Sequence, residues 1–546
     1  MSTFLVLLDT PSIGQYVFAT DHLAEIRGAS ALLDRLNREE TENQLRRKFG
    51  NGCVKVYAAG GAGQFLITAA SRHDLESALE ELSAFYARET AGEIQVVWGI
   101  GELLSPAATD YHRALSEAFS ELTWKRLCQR QHFIVPTFPL AVECQSTSYL
   151  PATEVFHWAG EIRVISEASR RKYEEASKVA RGHLWQRFVA ELVELPEELR
   201  QDPDALRCRT IEEIGKFAEV RRGYVGLVYA DGNAMGRLVQ ELDSPETATA
   251  FSRLVDESIR DACHQSLAEI FQDTIQEISR LPAASEHRRI PADILLLGGD
   301  DLVVVLPADR ALPFAIRVSQ LFERATQEAQ EKLPPVARQF FGKRLAGRGL
   351  TLSLGVAIGP ARYPFYLLLE LADQLLASAK RGGSSDPDAQ PYWAPSYIDF
   401  HIQTGSATQD LEVVRTEDYR IKSSHVRTLR PYRREKLETL WQAARDLAKC
   451  RLPQSKRHDL LEAALEPRPR LAEWRAKELF GRLSETRFQP QRSALYTAMC
   501  LLGPVDLNDF PWTHTHNGKP RKATVLADLM EVYDFVRQTG EGDQNE

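Results

Sequence analysis

The stretch Ile294–Leu306, ILLLGGDDLVVVL, admits few structures. Two short runs rich in Leu and Val flank Gly298, Gly299, Asp300 and Asp301. Short apolar runs bounded by turn residues predict a β-hairpin with both strands largely buried. The glycines allow a tight turn and close approach of a ligand to the backbone. Adjacent carboxylates at such a tip repel each other unless a cation or solvent compensates. A divalent metal is the simplest compensation, since Mg²⁺ binds through one or two carboxylates plus substrate phosphates.

Asp231 supplies the other half of the same pattern. Tyr224–Met235, YVGLVYADGNAM, reads as a buried strand running into Asp231 and Gly232 and then a helix start. Taken singly, GGDD is an ordinary hairpin turn and Asp231 an ordinary cap. Together, Asp231, Asp300 and Asp301 point to a catalytic metal site of the nucleotidyl-transfer kind, where metals stabilise the attacking and leaving oxygens.

Length and composition set the frame. At 546 residues the chain has room for two to four domains. Its 43% hydrophobic and 26% charged residues are ordinary for a globular protein. No apolar run approaches the roughly 20 residues that span a bilayer. The N-terminal MSTFLVLLDT lacks a basic leader and reads as a strand, so the expected setting is the cytoplasm, without membrane contact. Seven cysteines without a CxxC pair predict reduced thiols. A net charge of −9 argues against broad nonspecific nucleic-acid binding.

YADGNAMG (Tyr229–Gly236) paired with LLLGGDDLVVVLP (Leu295–Pro307) resembles the polymerase-cyclase palm of the large subunit of type III CRISPR effectors. The CRISPR polymerases are cousins of the GGDEF-type diguanylate cyclases. The resemblance implies a nucleotidyltransferase-cyclase that makes cyclic oligoadenylates from ATP with Mg²⁺ or Mn²⁺, in antiviral signalling. It implies guide or target RNA and sister effector subunits as partners, and a downstream effector that senses the product. A diguanylate-cyclase-like enzyme using GTP, an RNA-activated large subunit and an inactive nucleotide-binding scaffold stay open as alternatives. Asn233 stands where the family has a second Asp; an amide is the weaker metal ligand. The resemblance therefore carries metal binding to Asp231, Asp300 and Asp301. Nucleotide contact is assigned to Gly232, Asn233, Gly298 and Gly299. Ala379-Lys380 matches the family's late AK dipeptide, whose lysine contacts triphosphate.

The expected fold class is α+β, with two ferredoxin-like, nucleotide cyclase-like palms and helical connecting and C-terminal regions. The expected divisions are 1–105, 106–222, 223–382 and 383–546. In the first, strands at Phe4–Leu8, Val54–Ala58, Phe65–Thr68 and Ile94–Ile100 alternate with helices at Leu23–Asn37 and Leu75–Arg88, a β-α-β-β-α-β order. Gly60 and Gly61 are aligned with Gly298 and Gly299, and Ala62 and Gly63 with the two aspartates. The first palm is thus read as a degenerate repeat that binds a nucleotide through Gly60 and Gly61, with Asp9 in the place of Asp231. The two palms are expected to face each other with nucleotides between them.

In the connector, Cys128, His132, Cys144 and His157 are irregularly spaced, and no zinc is expected. In the second palm, a helical insert is expected at Ala248–Arg280, then a polar loop at Ala283–Arg289. A helix is expected at Ala311–Lys332 with Pro313 in its first turn, and a loop at Leu333–Arg348. An alternating strand at Leu350–Ile358 and a helix at Tyr366–Lys380 complete that unit. Helices are expected at Glu435–Cys450, His458–Glu466 and Lys522–Gln538, and disorder at Glu541–Glu546. His73-Asp74 and His458-Asp459 are read as helix-start residues, and the HD nuclease domain of many relatives is expected to be lacking.

Overall fold

The computed structural model describes residues 1–105, 108–128, 141–147, 149–158, 161–178, 184–281, 288–405, 410–417, 419–421, 425–483, 488–500, 511–515 and 521–536. His132, the expected 283–287 stretch of the polar loop and the 541–546 tail lie outside them.

The fold is α+β. A first antiparallel sheet holds β1 (Ser2–Asp9), β2 (Cys53–Ala59), β3 (Ala62–Ala69) and β4 (Val97–Leu103) in the order β2-β3-β1-β4. The connector carries the hairpin of β5 (Glu154–Trp158) and β6 (Glu161–Ile165). A second sheet holds β7 (Tyr224–Gly232), β8 (Asp293–Gly298), β9 (Asp301–Pro307), β10 (Leu352–Pro360) and β11 (Tyr397–Ile402). Its order β11-β10-β7-β9-β8 repeats the first sheet's order on one side and adds β11, parallel to β10, with the two-residue strand Tyr432–Arg433 as a sixth, beside β11 at the edge. Each sheet is thus the ferredoxin-like arrangement, fourth strand beside first, first beside third, third beside second.

The repeat extends to single residues. β1 pairs Asp9 with Ala62 and with Val97. β7 pairs Asp231 with Ser353, and its Ala230 with Leu302, which sets Asp231 across from Asp301. The hairpins close at Ala59–Ala62 and at Gly298–Asp301, each over two turn residues. Both carry a register break three residues before the turn, between Lys55 and Tyr57 and between Ile294 and Leu296. The structural counterparts are therefore Gly60 with Gly299, Gly61 with Asp300, and Ala62 with Asp301. This corrects the glycine-to-glycine alignment by one residue.

The fourth strand of each sheet carries a long helix. Two residues beyond Val97, a methyl group on Gly99 would overlap the carbonyl oxygen of Ala118, in the helix Ala108–Cys128. Two residues beyond Ser353, Gly355 makes the same close seat for Ala372, in the helix Phe365–Ser384. Absence of a Cβ is what lets the helix backbone lie on the sheet.

Several local expectations change. Residues 333–348 are not a loop: Pro335–Leu345 is a helix with Ala337, Phe340, Phe341 and Leu345 buried at helical spacing. Pro334 and Pro335 occupy its N-cap and first position, where a missing N–H costs nothing. β10 does not alternate; eight of its nine residues are buried, because helices cover both faces. Pro313 lies in the sixth position of the helix Ala308–Gln330, beyond its first turn. The insert is two helices, Pro245–Ile270 and Gln272–Arg280, broken at Phe271. The helix expected at Tyr366–Lys380 continues through Gly382 and Gly383 to Ser384. These glycines admit the Tyr397 ring and Pro395 instead of ending the helix. The helices Ile13–Val17 and Thr41–Phe49 and the β5–β6 hairpin were not foreseen.

The C-terminal region packs helices Arg434–Lys449, Gln454–Leu465, Pro469–Arg482 and Gln489–Met499 against Leu526–Tyr533. The last of these begins at Leu526, since Arg521–Ala523 forms a strand. His73 and Asp74 do open a helix, where the Asp74 N–H donates to Ser71 Oγ at 3.1 Å. His458 is instead the fifth residue of its helix and pairs with Glu462.

The seating of the Phe365–Ser384 helix generates a stability prediction. Gly355→Ala forces the helix off β10 and should destabilise the protein by about 1–3 kcal/mol. A urea midpoint unchanged from wild type would show that the close seat carries no packing.

Candidate active site

β7 brings Asp231 to the edge of the second sheet through a run of buried residues from Val225 to Val228 and Ala230. Fully burying one Leu or Val side chain stabilises by about 1.5–3 kcal/mol, so the strand end is firmly placed. The neighbouring turn is Gly299–Asp300. Gly299 has φ +63°, and Asp300 is outside the left-handed region. A glycine at the first of two turn residues is what a type II′ hairpin requires. Asp301 opens β9 across from Asp231.

The three carboxylates therefore share one corner. A methyl group on Gly232 would stand 2.8 Å from Asp300 Oδ2, so only glycine admits that carboxylate here. Burial and the charge of Asp231 push Asp300 up to about 7, against the pull of its own N–H, Lys380 and the Gly232 N–H. Burial, Asp300 and Asp231 hold Asp301 well above the usual range. Lys380 Nζ lies 2.6 Å from Asp231 Oδ2. One ammonium against three carboxylates leaves two negative charges uncompensated when all are ionised. That surplus equals the charge of one divalent cation, and an all-oxygen donor set suits a hard one. Among the described residues, no three His, Cys, Asp or Glu side chains are gathered closely enough to hold a metal ion by themselves. The fit thus rests on charge and donor type.

The other expected residues divide. Gly232, Gly298, Gly299 and Lys380 lie at this corner. Asn233 does not face it. Its Nδ2 donates to Thr351 Oγ1 at 3.0 Å, and its Oδ1 accepts from Ser353 Oγ at 2.7 Å. Its amide ties β7 to β10 inside the protein, which corrects its assignment to nucleotide contact. Gly60 meets the Gly299–Asp300 turn itself: a methyl group there would stand 2.8 Å from Gly298 O and 3.1 Å from Gly299 N. Gly61, at φ +81°, packs on Ile13. The cavity beside them, bounded also by Tyr229 and Asp301, is only about 80 Å³. It has room for water but not for a nucleotide. Between the glycine turns, backbone meets backbone.

Three residues escaped the sequence reading. Asp373 lies two turns before Lys380 on the same helix, a spacing that puts both on one face. Burial and Asp231 raise its carboxyl, against Lys380. Tyr229, two residues before Asp231, is raised by burial and by the surrounding acids. Arg126 is the counterpart of Lys380: each lies eight residues beyond its helix's seat, at Ala118 or Ala372. Arg126 Nε is 3.0 Å from Asp9 Oδ2, as Lys380 is paired with Asp231. Only the repeat geometry reveals that match. In the connector, Cys144 is buried and accepts from the N–H groups of Thr147 and Ser166, whereas Cys128 and His157 are exposed.

Comparison with known proteins agrees with this geometry. Residues 224–387 match the family model Cas10/Cmr2, second palm domain. No curated protein matches the chain. Among solved structures, Csm1 of T. onnurineus aligns at TM-score 0.55 and 18% identity, covering 98% of this chain and 70% of that one. A Csm1–Csm4 cassette in complex with AMPPNP aligns at 0.56 and 16%, covering 98% and 70%. A Csm1–Csm4 cassette in complex with cA4 aligns at 0.54 and 16%, covering 91% and 70%. The chain thus carries a cyclase-like palm. Residues 224–387 are similar to the Cas10/Cmr2 second palm, and the chain shares the fold of Csm1.

The crowding of Asp300 gives a pH prediction. Its folded-state pKa lies above its unfolded value, so between about pH 4 and 7 the folded chain binds more protons. Stability contributed by the protonated form is present at low pH and lost as pH rises through about 7. In EDTA, Asp300→Asn should therefore be more stable than wild type at pH 8, by about 1 kcal/mol. The difference should shrink by pH 5. Thermal melts at both pH values check it, and a variant less stable at pH 8 would contradict the crowding.

Proposed function

We propose that the protein is a Mg²⁺- or Mn²⁺-dependent nucleotidyltransferase-cyclase that joins ATP into cyclic oligoadenylates. The observation that carries this reading is the meeting of Asp231, Asp300 and Asp301 beside Lys380 at the corner of a Cas10/Cmr2-type second palm. The divisions 1–105, 106–222, 223–382 and 383–546 belong to the same proposal. The similar Csm1–Csm4 cassettes are complexes with AMPPNP and cA4, which supports the adenine-nucleotide class. A second reading is supported by the same structures: Csm1 is named there with Csm4, so a sister subunit is the expected partner of this chain. No described helix is long and apolar enough to cross a membrane.

Asp231, Asp300 and Asp301 would hold the divalent cation. When bound, it polarises the α-phosphate and makes a ribose hydroxyl a better nucleophile. The chain's own residues supply position and charge. Lys380 neutralises Asp231 before substrate arrives and is free to turn to the triphosphate once the carboxylate has another partner. Gly232 makes room for the Asp300 carboxylate, and Gly299 leaves the turn backbone without a side chain, where phosphate would be received. A hydroxyl of one nucleotide attacks the α-phosphorus of the next, the bond to pyrophosphate breaks, and repeated transfer followed by closure yields a ring. The first palm, with Gly61 and Ala62 in place of Asp300 and Asp301, has no such acid pair. Its role is to support the catalytic turn.

Incubation with each NTP and Mg²⁺ or Mn²⁺, with mass analysis of products, tests the reading. ATP should give cyclic oligoadenylates, with sister subunits and target RNA added as a parallel arm. Asp300→Ala with Asp301→Ala should cut synthesis by ~10³-fold or more, whereas Asp9→Asn should change it by less than about threefold. Products from GTP alone would replace ATP as substrate. Undiminished synthesis by the double variant would move the active site elsewhere.

A further inference from the structure

A second cavity opens where both palms meet the connector. Its walls come from the start of the Leu23–Arg35 helix, strand β6, the turn before the Ile211–Lys216 helix and the turn before the Phe365–Ser384 helix. Its volume is about 890 Å³, within the size range of small-ligand sites. From Phe365 at this cavity to Lys380 at the palm corner the helix rises about 22 Å. The two places are therefore distinct.

Each wall contributes an arginine: Arg27, Arg163, Arg209 and Arg362. Two of them are engaged within the protein. Arg27 Nε donates to Asp293 Oδ2 at 2.7 Å. Arg163 NH1 lies 2.6 Å from His22 Nε2, which must then be the acceptor nitrogen of a neutral ring. Arg209 and Arg362 are exposed, and among the described residues neither guanidinium has an ion-pair or hydrogen-bond partner. The opposing acids in the lining are Asp21 and Glu212. Asp21 already accepts from the Phe365 N–H at 2.9 Å.

With Arg27 committed to Asp293, three guanidiniums face two carboxylates, a balance that favours an anion in a chain whose overall charge is −9. A generally basic surface is therefore not the cause. Guanidinium forks match phosphate oxygens. Between the arginines the wall is apolar or aromatic, with Leu23, Ile211, Tyr363 and Pro364. A ligand that satisfies both surfaces has a phosphate at one end and a flat, weakly polar body at the other. We propose that this cavity binds a nucleoside phosphate of mononucleotide size, its phosphate on Arg209 and Arg362 and its ring against Tyr363. The occupant bridges the two palms and the connector. This inference makes no use of the proposed chemistry at the palm corner.

The test is calorimetric titration of the full chain with AMP and with ATP in EDTA, with single-stranded oligoadenylate as a third arm. Saturable mononucleotide binding is expected. Arg209→Gln with Arg362→Gln should weaken it about tenfold or more. Glu212→Gln, which removes an opposing charge, should tighten it about twofold or more, a gain that misfolding cannot produce. Asp300→Asn should leave it unchanged. The proposal is overturned by an absence of saturable binding below about 1 mM. Binding that ignores the arginine pair but is lost with Asp300→Asn overturns it as well. Tight binding of the oligonucleotide alone would assign the cavity to a nucleic-acid strand and also overturn it.

Discussion

Two glycine turns meet backbone to backbone at the centre of the molecule, and the arrangement of both palms follows from that contact. Gly60 of the first hairpin lies on Gly298 and Gly299 of the second. Gly60 and Gly299 are structural counterparts, so the contact is close to a two-fold relation between the repeats. A methyl group on Gly60 would stand 2.8 Å from Gly298 O and hold the hairpins apart. Their approach leaves only a cavity of about 80 Å³ on the inner side of Asp301. The carboxylates are open instead on the side of Lys380, which is partly exposed beside Asp231. The first palm thus packs directly against the acidic turn of the second.

Buried ion pairs hold the parts in register around this contact. Asp293 opens β8, is fully buried, and accepts from Arg27 of the first palm and Arg207 of the connector. Removing one partner would leave an uncompensated charge in the interior, which is strongly destabilising. Burial pulls Arg207 down to about 10, against the stabilising charge of Asp293. Further along the chain, Arg430 is fully buried between Asp528 at 3.1 Å and Glu531 at 3.0 Å. Tyr432 OH and Thr428 Oγ1 also donate to Asp528. That network fixes the last helix beside Tyr432–Arg433, the short edge strand that pairs with β11 of the second sheet. The C-terminal helices are thereby coupled to the second palm through charge as well as through apolar packing.

The repeat also explains why only one palm collects acids. In both, a helix seated on a glycine of the fourth strand delivers a cation to the aspartate ending the first strand. Arg126 does this for Asp9 and Lys380 for Asp231. With one acid and one guanidinium the first corner is already neutral, and a divalent cation would gain little there. The second corner adds Asp300 and Asp301 and is left negative. Two substitutions in one turn are enough to separate the electrostatics of otherwise matching frames.

The sequence by itself determined the hairpin, the strand ending at Asp231, the acidic triad and the α+β class, because short apolar runs, turn glycines and adjacent carboxylates act locally. It suggested the repeat but misplaced it by one residue. Identity aligns glycine with glycine, whereas hydrogen-bond register aligns Gly60 with Gly299 and Ala62 with Asp301. It read Pro335–Leu345 as a loop because prolines and cations masked the helical spacing of Phe340, Phe341 and Leu345. Only the tertiary structure decided that Asn233 faces Ser353, that Arg126 answers Lys380, and that arginines from four distant segments line one cavity. Each of these depends on which backbones can approach closely. That is set by strand register and by missing Cβ atoms across the fold, and no pattern along the chain encodes it.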